Sequence, residues 1–134
     1  MSSKHADLYL AATQAIDSRI VTLNKLSQEI WSHPELGYEE HHAHHILTEF
    51  LENEGFRVER NFIHKTGFRA TYGDIQSSDG VNVCMICEYD ALPEMGHACG
   101  HNLIAECGVA AGLGVRAALD KIGYGQVSWH QVCS

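Results

Sequence analysis

A chain of 134 residues that is 45% hydrophobic is long enough for one compact domain with a real core and too short to expect two. Its formal net charge of -8 at pH 7 leaves no basic patch to displace counterions, which argues against a nucleic-acid partner and for small molecules or proteins. No basic segment with a long apolar run opens the chain, no window approaches the roughly 18 apolar residues of a membrane span, and five cysteines is an odd number without framework spacing. A soluble, cytoplasmic protein with reduced thiols and no membrane partner is expected.

In chain order, Leu8, Ala12, Ala15, Leu23, Leu26 and Ile30 recur at helical intervals, which predicts one amphipathic helix ended by Pro34. A Pro-containing turn follows, then a second helix with Ala43, Ile46, Leu47, Phe50 and Leu51 as its stripe and Gly55 as its stop. "RVERNFI" and "GFRATYG" are short strand candidates, and "DIQSSDG" is a polar turn. The nearly unbroken apolar run "VNVCMIC" predicts an interior strand covered on both faces. "LIAECGVAAGLGVRAALDKIG" is apolar almost all round and predicts a buried helix. Each of Gly108, Gly112 and Gly114 costs such a helix roughly 1 kcal/mol relative to Ala, which close packing on a sheet must compensate. "GQVSWHQV" starts another strand. The order of elements implies an α/β layer architecture, with ligands beyond the carboxyl ends of the strands.

The loop at such an end, "EYDALPEMGHACGHN", carries more metal-capable groups than a turn needs. A strand continuing through Asp90 projects Glu88 and Asp90 from one face, while Pro93 stops the ladder. In an extended backbone His97, Cys99 and His101 also share one side, roughly 6 to 7 Å apart at Cα, a spacing that lets them converge on one or two ions. Thiolate with imidazole favours a borderline-soft divalent metal such as zinc. Asn102, Gly100 or His101 marks the start of the next helix, whose N-terminal N–H groups favour an anion such as a substrate carboxylate.

Other metal-like features have plainer readings. Cys84 and Cys87, three apart on a strand, face opposite ways and read as core packing; a zinc or thiol-redox module would need them adjacent in space. His41, His42, His44 and His45 read as a solvated helix face, because no third ligand is in view for the i, i+4 pair His41 and His45. Glu106 is either a satisfied polar group or a partner of the site.

"WSHPELGYEE", "TGFRATYG" and above all "EYDALPEMGHACGHNLIAECGVAAGLGVRAAL" resemble the peptidase M-twenty family, in its aminoacylase-like amidohydrolase branch and its dipeptidase members, over residues 26–122. The resemblance implies a three-layer zinc-exopeptidase-like catalytic domain with a mixed sheet. This chain would be its incomplete N-terminal part, without the smaller domain through which members form homodimers. It also implies metal-dependent hydrolysis of the amide bond in dipeptides or N-acyl amino acids. Carried over by motif, Cys99 and His101 are metal ligands and Asp90 is the catalytic carboxylate that orients them. The metal is most often zinc, with manganese or cobalt as alternatives. Many relatives have Asp where this chain has Glu88, which stays unassigned, as does His97.

The family's general base lies in a Pro-Ala-Glu-Glu segment that this sequence does not contain; after "GYGQV" it turns to "SWHQVCS". His130 and Cys133 occur there and match no family ligand. A truncated isoform that is inactive by itself is therefore expected, the alternative being a binding or regulatory partner of the full-length enzyme through an uncovered sheet edge.

Overall fold

A computed structural model of the chain describes residues 3–74 and 82–131. Most of the "DIQSSDG" turn and Cys133 lie outside the described residues. The elements in order are helices α1 (Ser3–Asp17), α2 (Ile20–Ser32) and α3 (His41–Asn53), strands β1 (Arg57–Arg60), β2 (Phe68–Asp74) and β3 (Asn82–Cys87), helix α4 (His101–Ile122) and strand β4 (Gly125–Gln131).

The four strands form one mixed sheet in the order β1-β2-β4-β3. β1 with β2 and β2 with β4 are antiparallel, and β3 with β4 is parallel. The α/β class and mixed sheet expected from the sequence are both present. The helices cover one sheet face, where Ala70, Val127 and Trp129 are fully buried. The opposite face is polar along β1, β2 and the start of β4, where it carries Arg57, Glu59, Arg69, Thr71 and Gln126.

The glycine prediction for α4 is met on the sheet by Gly108 and Gly112, whereas Gly114 faces α1. A Cβ on Gly112 would lie 1.6 Å from Cζ2 of Trp129, and one on Gly108 would lie 2.7 Å from Sγ of Cys87. The Trp129 indole also donates to the Gly108 carbonyl at 3.0 Å, so the ring is held in the groove the glycines leave. By length and composition α4 could cross a membrane, contrary to the expectation that no window comes close, with mean hydropathy 1.3 over its apolar window. Here it is a core helix: Ala105, Val109 and Leu113 are buried, while Leu103 and Ile104 face outward.

Three expectations are corrected. The single N-terminal helix is two: the chain breaks at Ser18–Arg19, where Ser18 Oγ donates to the Ala15 carbonyl and Arg19 reaches Glu54 at 2.6 Å. Of the predicted stripe, Leu23, Leu26 and Ile30 on α2 are buried, whereas α1 buries no residue fully and leans on α4. β3 is an edge strand of the described sheet with alternating exposure, not one covered on both faces. Val83, Met85 and Cys87 pair with β4 residues of the helix-covered face, while Cys84 and Ile86 face outward, so the unbroken apolar run reflects an apolar outer side. The histidines of α3 are not one solvated face either. His44 is buried among core residues, and burial pushes its pKa below the ordinary histidine value, with the Arg60 charge adding to the effect.

Gly112→Ala and Gly114→Ala should therefore move stability in opposite directions. The first gains about 1 kcal/mol of helix propensity but forces a methyl into a rigid ring, at an overpacking cost of about 1–3 kcal/mol or more. The second meets the flexible tip of Ile16 at 3.2 Å and otherwise only ordinary contacts with Ala12 at 3.5 and 3.6 Å. Urea unfolding of both variants checks the signs; equal stabilisation would mean that the α4–sheet contact is looser than described.

Candidate metal centre

β3 ends at Cys87, and the chain continues extended through Glu88, Tyr89 and Asp90. Tyr89 is buried, donates from its hydroxyl to the Thr66 carbonyl at 2.6 Å and stacks on Phe68. Because successive side chains in extended backbone alternate, anchoring Tyr89 inward turns Glu88 and Asp90 the other way, toward the start of α4. The Ala91 amide donates to the Glu35 carbonyl at 2.7 Å, which ties this segment to the turn before α3.

The two carboxylates meet at one ring. His101, the first residue of α4, has Nδ1 2.9 Å from Asp90 Oδ1 and Nε2 3.4 Å from Glu88 Oε2. All three side chains are largely shielded, with 12%, 11% and 25% exposure for His101, Asp90 and Glu88. When Nδ1–H donates to a carboxylate, the tautomer is fixed and Nε2 is left as the basic, metal-binding nitrogen. Cys99 is half-buried, its Sγ 3.7 Å from the Asp90 carbonyl.

The sequence places these residues together, but not by the expected geometry. His97, Cys99 and His101 do not alternate along extended chain: His97–Cys99 is a 3-10 turn, and Gly100, at φ 81, redirects the chain into α4. That left-handed conformation suits glycine. Gly100 thus caps α4, while Asn102 is buried and donates to Ser27 Oγ at 3.1 Å. His97 points into the protein, and among the described residues neither ring nitrogen has a well-aligned hydrogen-bond partner. Burial first, then the neighbouring His101, pushes its pKa down, with the Ile30 backbone and the carboxylates of Asp90 and Glu35 opposing. Glu106 is half-buried on α4.

Thiol, imidazole and carboxylate donors fit a borderline-soft divalent ion. Cys99 and His101 do not, however, draw a third donor into a tight set. Among the described residues, the trio with ligand atoms all within 4.8 Å of one another lies elsewhere, at Glu29, His33 and His42. Sequence reading missed that trio, because only the i, i+4 spacing of Glu29 and His33 hints at it.

An open mixed sheet with helices packed on it, and carboxylates, imidazole and thiol gathered beyond a strand's carboxyl end, is the α/β arrangement in which such folds hold their ligands. No family model matches the chain. It is 52% identical over 118 residues to the Xaa-Arg dipeptidase of Mus musculus, which covers 83% of this chain and 27% of that protein. With the Xaa-Arg dipeptidase of Homo sapiens it shares 46% identity over 125 residues, covering 86% of this chain and 29% of the relative. The crystal structure of a dinuclear metal-binding peptidase of the M-twenty family from Bacillus subtilis superposes with TM-score 0.66 at 25% identity, over 88% of this chain and 35% of that one. The chain belongs to the peptidase M-twenty family. It spans under a third of the length of the curated relatives it matches.

The cysteines test the site's surroundings. Cys84 and Cys107 are exposed and Cys87 is buried, on the sheet face opposite to Cys84, so no Cys84–Cys87 pair forms. Burial, with a smaller contribution from Cys84, pushes the Cys87 thiol up to about 12. Since the thiolate is the reactive form, alkylation near pH 8 should label Cys84 and Cys107 and leave Cys87 unmodified until the chain unfolds. Peptide mapping reads this directly, and prompt labelling of Cys87 would contradict its burial.

Proposed function

We propose that the chain is the part of a metal-dependent amide hydrolase that supplies one half of its metal centre, acting on dipeptides or N-acyl amino acids. The observation that carries this is the Asp90–His101–Glu88 constellation beside Cys99. His101 through Nε2 and Cys99 through Sγ would hold the ion, zinc before manganese or cobalt by donor softness. Glu88, facing the same nitrogen, offers a carboxylate donor. A bound divalent ion would supply Lewis acidity toward the scissile carbonyl and an acidified water.

The chain's own residues do the positioning. Asp90 accepts from Nδ1 and holds the ring so that Nε2 faces the site; loss of such a partner commonly costs 10–100-fold in metal affinity or activity. Tyr89 keeps both flanking carboxylates turned the same way. The N-terminus of α4 beside the site favours an anionic group, which suits the carboxylate of a dipeptide. The Xaa-Arg dipeptidases among the relatives suggest a basic dipeptide as substrate, in a cytoplasmic enzyme that pairs through a further domain.

We also infer that turnover needs residues beyond these. Purified 134-residue chain should take up zinc, with affinity lowered about 10-fold or more by Cys99→Ser or His101→Ala. It should not hydrolyse β-alanyl-lysine or arginine dipeptides. Undiminished zinc affinity in both variants would overturn the metal assignment, and turnover lost with Cys99→Ser would overturn the inactivity of the chain by itself.

A further inference from the structure

The trio at Glu29, His33 and His42 stands apart from the Cys99 and His101 constellation and draws on different elements. Glu29 lies on the last turn of α2, His33 follows that helix as its C-terminal cap, and His42 is in the first turn of α3. Glu29 Oε1 is 3.3 Å from His42 Nε2 and 3.6 Å from His33 Nδ1. The imidazole rings face each other at 4.3 Å between centroids, tilted by 35°.

These separations have a chemical meaning. A tetrahedral ion with bonds of about 2.0–2.1 Å to nitrogen and oxygen holds its ligand atoms about 3.3–3.4 Å apart. The two Glu29 distances lie at or just above that edge length. His42 Nε2 is shut off from solvent yet makes no hydrogen bond among the described residues, so the contact with Glu29 does not satisfy it. His33 Nδ1 also lies 2.9 Å from the Glu29 carbonyl and 3.1 Å from Ser32 Oγ, so an ion taken there replaces those contacts.

The backbone under the trio is fixed. Glu35 accepts from the amides of His42 and Ala43 at 2.8 and 3.0 Å, which pins the start of α3. The His33 amide donates to the Ile30 carbonyl, and Ile30 and Ala43 are core residues. Two imidazoles and one carboxylate with an open outer side, Glu29 and His33 being 43% and 51% exposed, leave room for a water or another ligand in the fourth position.

We propose that Glu29, His33 and His42 form a second site for a divalent transition metal, of the zinc, nickel or copper kind, that clasps the end of α2 to the start of α3. The clasp has a target. The segment it closes, 33–41, carries Glu35, whose carbonyl holds the Ala91 amide, and Leu36, which bridges to Ala91. A filled site therefore stiffens the turn against which the Asp90 loop rests. The inference does not depend on the hydrolase reading.

The test uses the tag-free 134-residue chain and nickel, zinc or cobalt ions alone. In a Cys99→Ser background, titration calorimetry should find one remaining bound ion, weakened at least 10-fold by His33→Ala, by His42→Ala and by the milder Glu29→Gln. His41→Ala with His45→Ala should leave it unchanged. Cobalt bound there should lack thiolate-to-metal charge-transfer absorption, whereas the Cys99 site should show it, so failure of one site is distinguishable from failure of the other. Circular dichroism confirms that each variant folds. Equal ion uptake with and without His33 and His42 would overturn the proposal, as would an ion whose affinity is indifferent to Glu29→Gln.

Discussion

The contact between α4 and the β3–β4 pair is the constraint on which the rest of the structure depends. Trp129 lies where Gly112 has no side chain, close enough that even a methyl would collide with its ring. Gly108 brings α4 within reach of Cys87 and Ile86 in the same way. A larger residue at either point would lift the helix from the sheet, and His101, at its first turn, would leave the carboxylates beyond the end of β3. The helix-propensity loss at the glycines, about 1 kcal/mol each, is thus offset by packing that sets the site's geometry.

From that contact the site follows by short steps. Tyr89 is drawn into the core against Phe68, and its neighbours Glu88 and Asp90 must face away from it. Gly100 turns the chain so that α4 begins with His101 between those two acids. Asp90 then takes one ring nitrogen and Glu88 faces the other. The chain that carries this constellation belongs to the M-twenty peptidases and spans under a third of the length of its curated relatives. The hydrolytic reading proposed above rests on the donors gathered there.

Much of this was legible in the sequence, for identifiable reasons. Glycines inside an apolar helix announce close packing, and Gly108 and Gly112 have it. Acids two residues apart announce a shared side, and Glu88 and Asp90 share one even though β3 stops at Cys87. The failures are equally physical. Alternating His97, Cys99 and His101 looked like one face of an extended segment, but positive φ at Gly96 and Gly100 allows a compact turn that sends His97 inward. An unbroken apolar run was read as a strand covered on both faces, and periodicity alone does not say whether the second face meets protein. The trio of Glu29, His33 and His42 shows in the sequence only as the i, i+4 pair Glu29 and His33, because His42 joins it through the fold alone.

The hydrogen bond from His101 to Asp90 bears most directly on the account's central claim. Long-range nitrogen–proton correlation spectra of uniformly labelled chain, titrated until the ring is neutral, report which nitrogen of His101 keeps its proton. The 2.9 Å contact with Asp90 predicts the Nδ1–H form, with Nε2 unprotonated and available, and a shift of that balance in Asp90→Ala. An Nε2–H ring indifferent to Asp90→Ala would contradict it, because the nitrogen assigned to the metal would then be the one that holds the proton.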